Sequence, residues 1–136
     1  MNRRAWARDD AGLIGKIAVV WLLVLVLIGL GAIDAVSIVI TRFHVADVTG
    51  NAASDAAANF RLTRNVRQAC EAAAASVKDA DPKITLATHG CKIDQTTGDA
   101  TIIARKDATT LIAGRLSFTK KYASVTDTEI APPPSL

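Results

Sequence analysis

Apolar positions along the chain fall into three successive patterns, and each predicts a different element. From Leu13 to Ile33 almost every residue is apolar, and the only ionisable side chain is Lys16. As a helix this run is about 31 Å long, the hydrocarbon thickness of a bilayer, so one membrane-spanning helix is expected, assigned to residues 13–40 with VSIVI included. After Thr41 the pattern advances by threes and fours through Val45, Val48, Ala52, Ala56, Phe60, Thr63, Val66, Cys70, Ala73 and Val77, one face of a second helical stretch over 41–81. Thr49-Gly50-Asn51 is its expected weak point, where the helix either bends or restarts with Asn51 as a cap, and Asp81-Pro82 is its end. The third pattern is extended. Ile84 and Leu86 alternate, Ala100 to Arg105 is β-branched, and QTTGD between them reads as a hairpin loop around Gly98. Tyr122 to Ile130 predicts a third strand, while Thr109 to Lys121, with Leu111, Ile112, Leu116 and Phe118, fits a short helix or a packed loop equally well. Residues 82–131 thus form a small β-rich part. Pro132-Pro133-Pro134-Ser135-Leu136 is expected to be an extended, solvated tail.

Charge orients the first element. Arg3, Arg4, Arg8 and Lys16 crowd its N-terminal side and only Arg42 lies near the other end, so residues 1–12 are expected to be a basic tail in the cytoplasm and everything after Thr41 outside. A cleaved signal peptide has a shorter apolar region closed by a small-x-small site, whereas WLLVLVLIGLGAI is long and runs on, so the helix is expected to stay as an anchor. The net charge of +3 is too small, and too concentrated near the first residues, to give a case for nucleic acid as a partner. Aromatic residues make up only 4%, so any core outside the membrane must be built from Ala, Val, Ile and Leu and gains little burial per residue.

Asp34 is the residue that a plain anchor would not need. Beside Gly29 and Gly31 it reads as a contact with a closely approaching partner helix in or near the membrane, or else as a carboxylate hydrated in the headgroups just past the apolar run. Lys16 reads as a snorkelling cation. Arg61, Arg64 and Arg67 recur every third residue, as a solvated basic line or a contact for an acidic polymer or lipid headgroups.

The two cysteines, Cys70 and Cys91, both fall on the side assigned to the outside, where disulfides persist, and they are expected to pair, tying the helical part to the first strand. A metal site from Cys70, Cys91, His89 and His44 lacks the tight two-cysteine spacing such sites use, so no metal or other cofactor is expected. Asp79 with Asp81 and Asp127 with Glu129 are carboxylate pairs of the kind found at solvated helix ends and strand edges. With no nucleophile elbow and no phosphate loop, the chain reads as a non-enzyme without an identified small-molecule substrate.

The order of features resembles the TadE/TadG-like proteins, the minor-pilin or pseudopilin-like components of tight-adherence (Flp, type IVb) pilus systems. The resemblance runs through RDDAGLIGKIAVVWLLVLVLIGLGAID, the Ala-rich VADVTGNAASDAAANF and the late TIIARKDATTLIAGRLSFTKKYASVTDTEIAPP. It implies a type IV pilin-like α+β fold, a long N-terminal transmembrane helix extended outside the membrane and packed on a small antiparallel sheet. It also implies single-pass residence in a bacterial cytoplasmic membrane, with the bilayer and other pilin-like subunits or pilus machinery as partners. Family leaders cut by a prepilin peptidase place a Gly shortly before a Glu and an aromatic residue. Gly12 marks the candidate processing junction here, but Lys16 and Ile17 stand in the comparable place, and a cation cannot make the contact that a pilin glutamate makes with a neighbour's amino terminus. The alternative function, from the same layout, is an envelope-anchored binding or signalling module.

Overall fold

The computed structural model describes residues 6–113, 115–117 and 119–135. Arg3, Arg4, Phe118 and Leu136, singled out above, lie outside the described residues. The fold is α+β. Helix α1 runs from Trp6 to Thr63, α2 from Val66 to Ala80, and strands β1 (Thr85–Ile93) and β2 (Ala100–Asp107) follow. One turn of helix, α3 (Lys120–Ala123), leads into β3 (Ser124–Ala131), and the strands form an antiparallel meander in the order β1-β2-β3.

Helix α1 is 58 residues long, about 87 Å, and is continuous through the point where a bend or restart was expected. Thr49 is fully buried and its hydroxyl donates to the Val45 carbonyl at 2.6 Å, so the residue is held inside the helix by packing and by a local bond. The break comes instead at Arg64 and Asn65. Arg64 takes a positive φ of 54°, and the Asn65 side chain accepts the backbone N–H groups of Arg67 and Gln68, a helix N-cap. The helical stretch expected over 41–81 is therefore divided. The chain reverses, and α2 runs back along α1 until Asp81 stands beside His44.

The first part of α1 is bare. Trp21, Leu25, Leu27 and Ile28 are each more than 60% exposed, and almost none of the apolar stretch is covered by the rest of the chain. A core helix of a water-soluble domain would bury that surface. The stretch is long and apolar enough to cross a membrane once, consistent with single-pass anchoring near the N-terminus.

From Val45 onward α1 enters the core. Val45, Val48, Ala52, Ala53, Ala56, Ala57 and Phe60 are buried against α2 and the sheet. Alanine supplies eight of the fourteen described members of the main cluster, including Ala73 on α2 and Ala100, Ala104 and Ala131 on the strands. Small side chains let the layers approach closely but give each residue little apolar area to remove from water. The Ala stripe is thus used inside the chain. Every second residue of β2, Ala100, Ile102 and Ala104, faces this core.

The hairpin loop turns at Gly98, whose φ of 85° suits glycine, and the Asp94 carboxylate accepts the N–H groups of Thr96 and Thr97. In β1 the pairing shifts between Leu86 and Cys91, a bulge that contains His89 at φ 58°. The described tail after β3, residues 132–135, has no regular secondary structure and is not wholly solvated. Pro133 packs on Gly98, and an Arg61 guanidinium N–H donates to the Pro134 carbonyl.

Candidate functional site

The residue out of place in the apolar helix organises the most distinctive site. Asp34 is 5% exposed, and both carboxylate oxygens are engaged. Oδ1 accepts the Leu111 N–H at 2.6 Å, and Oδ2 accepts those of Ile112 and Ala113, both at 2.8 Å. Three successive backbone donors converge on one anion, the arrangement that satisfies a carboxylate best away from water. One turn further along α1, the Ser37 hydroxyl donates to the Thr109 carbonyl at 2.6 Å. The segment between β2 and β3 is therefore a packed loop clasped to α1, closed by α3. This resolves the two alternatives left open for Thr109 to Lys121 in favour of the loop, with one helical turn at its end.

Between α1 and this loop lies an open hollow of about 400 Å³, walled by Leu27, Gly31 and Ile38 on the helix and by Ile112, Leu116 and Tyr122 on the loop. Gly31 and Asp34, three residues apart, share the face that meets the loop. Gly29 lies about 140° away around the helix and points elsewhere, with open space beside its Cα. The three residues grouped from the sequence thus divide: Asp34 is committed to its own chain, Gly31 lines the hollow, and Gly29 is free on another face together with exposed Ala32.

A second polar cluster fastens the reversal of α2. Asp81, with a side chain 15% exposed, accepts from Lys106 Nζ at 2.5 Å, meets His44 Nε2 at 3.2 Å, and caps the turn by accepting the Lys83 N–H at 2.8 Å. The Lys106 hydrogen bond, the Lys83 N–H and the ammonium charge together hold the Asp81 carboxyl down at about 2. The backbone donors of Thr96 and Thr97 similarly lower Asp94. These carboxylates serve as turn and cap acceptors.

Cys70 and Cys91 form the expected disulfide, with Cα atoms 5.8 Å apart. It joins the second turn of α2 to β1 just past the bulge. His44 pairs with Asp81 while His89 sits exposed in the bulge, and no group of three or more metal-ligating side chains is found among the described residues. The break at Arg64 divides the basic line: Arg61 holds the tail, Arg64 lies over the Phe60 ring at 5.9 Å, and Arg67 pairs with Glu71 on α2 at 3.8 Å. Gly12 lies within α1 and Lys16 is exposed on it. Asp127 and Glu129 are half-buried on β3.

Sequence reasoning singled out Asp34 but missed its partners, which lie 77 to 79 positions away. The usable signal was the carboxylate itself, since a charge in an apolar helix demands donors. Compared with protein-family models, with curated proteins and with solved structures, the chain matches none.

Proposed function

We propose that the chain is a membrane-anchored structural component of a pilus assembly or secretion system in a bacterial envelope, similar in kind to the TadE/TadG-like minor pilins and pseudopilins. The observation that supports this reading best is α1 itself, one uninterrupted helix that leaves a bare apolar stretch and becomes the spine of a small antiparallel sheet. In this reading residues 1–12 lie in the cytoplasm, the domain after Thr41 lies outside the cytoplasmic membrane, and the disulfide belongs to that oxidising side. The work is contact between subunits. Because Asp34 and the Ala stripe are occupied within the chain, the membrane face offered to a neighbour is the one carrying Gly29 and Ala32, small residues one turn apart that let another helix approach closely. A photo-crosslinking residue at Ala32, activated in native membranes, is expected to capture a pilin-like subunit or assembly protein. Recovery of the uncoupled chain alone, in cells that assemble pili normally, would remove the assembly role.

A further inference from the structure

We infer that the loop over residues 109–122 is a membrane-seated element, inserted into the leaflet on the side of the sheet, with the hollow beside it filled by lipid acyl chains. Position along α1 is the first argument. Counted from Lys16, a hydrocarbon layer of about 30 Å ends near Val36, so Asp34 and the loop clasped to it lie at or just inside the apolar boundary. Leu116 shares the hollow with Leu27, which lies about 13 Å deeper than Val36 on the same count.

The loop's own chemistry is the second argument. Irregular backbone at membrane depth is tolerated only where its polar groups are satisfied within the protein. Here the N–H groups of Leu111, Ile112 and Ala113 go to Asp34 and the Thr109 carbonyl to Ser37. The Ala113 carbonyl accepts from the Thr119 hydroxyl at 2.7 Å, and the Ile112 carbonyl accepts from the N–H groups of Arg115 and Leu116. In a loop facing water, solvent could satisfy these groups instead.

Its side chains are the third. Leu111, Leu116 and Tyr122 are 53%, 41% and 63% exposed, and Leu116 and Tyr122 line the hollow together with Leu27 and Ile38 of α1. Exposed Arg115 and Lys121 accompany them on the same loop, where cations meet lipid phosphates. In this light Asp34 is the acceptor that allows a loop to enter lipid.

The inference rests on α1 crossing a bilayer and is independent of the assembly role. Its test places one tryptophan at a time in the full chain with Trp6 and Trp21 replaced by Phe. The chain is reconstituted in phosphatidylcholine and phosphatidylglycerol vesicles that contain phosphatidylcholine brominated at either the upper or the lower part of the acyl chain. Leu116→Trp is expected to emit to the blue and to lose most of its emission to the upper bromines, Ile28→Trp to be quenched by the deeper ones, and Leu62→Trp, at a site 85% exposed on the far end of α1, by neither. Tyr122→Trp repeats the measurement should the first variant misfold, with an intact disulfide as the check on folding. If both loop tryptophans behave like the one at position 62, or emit to the blue without quenching because a second copy covers them, lipid insertion is overturned while anchoring stands. An unquenched tryptophan at position 28 overturns both.

Discussion

Replacing Cys70 and Cys91 together by alanine removes the disulfide that cross-links the helical layer to the sheet. The two positions are 21 residues apart, and closing such a loop restricts the unfolded chain by about 3 kcal/mol in the entropy model. Little in the native structure opposes that figure. Strand β1 lies at the edge of the sheet and pairs with β2 only at Thr85 and Leu86 and again from Cys91 to Ile93, with the bulge between. The core beneath it is largely alanine and has little apolar area in reserve. The unfolding equilibrium of the double variant is therefore expected to shift by roughly a hundredfold, the equivalent of about 3 kcal/mol. Urea unfolding of the full chain in detergent micelles, with hydrogen exchange of the β1 and β2 peptides as the readout, measures it without interference from the micelle-bound part of α1. The largest acceleration is expected in Cys91 to Ile93. A loss below about 1 kcal/mol would refute the reasoning, because it would mean that noncovalent packing of α2 on β1 already confines that stretch of chain.

Three further outcomes follow from the geometry. Asp34→Ala leaves three aligned backbone donors without an acceptor, so exchange at Leu111, Ile112 and Ala113 should quicken more than about tenfold while β2 stays protected; unchanged exchange there would show that the clasp is not what holds the loop. Gly90→Ala would set a Cβ 2.6 Å from the Ile103 carbonyl oxygen and 2.7 Å from that of Ala87, both backbone atoms, and is expected to cost about 2 kcal/mol or more in urea unfolding. Because the folded carboxyl of Asp81 lies at about 2, below its ordinary 3.8, its contribution is complete above about pH 4 and is lost as pH falls toward 2, by up to about 2 kcal/mol; acid titration of Lys106→Met should show that part of the loss already present at neutral pH.

What the sequence made legible was local. The helical period of Val45, Val48, Ala52, Ala56 and Phe60 reports a single buried face, and that face is buried. Gly98 within a polar loop marked the hairpin, and the β-branched run at Thr101 to Ile103 marked β2. The interruption of the helix was misplaced, and its reversal not foreseen, because Gly50 is the weaker helix former by intrinsic preference, yet Val48, Thr49 and Ala52 are gripped by the core on either side of it. At Thr63-Arg64-Asn65 no such grip exists: Thr63 and Arg64 are exposed, and Asn65 is free to cap. The clasp at Asp34 and the docking of Pro133 and Pro134 join distant segments, and neither leaves a periodic trace.

The continuity of α1 through Thr49 to Asn51 also makes it a lever. From Asp34 to Thr63 the helix measures about 44 Å, with no hinge to absorb a change of angle. A change of tilt of about 10° in the bilayer, well within what transmembrane helices sample, would sweep the Thr63 end through about 8 Å and carry the sheet and α2 with it as a rigid body. If α1 crosses a bilayer as proposed, membrane thickness would thereby set where the far edge of the domain meets anything above it.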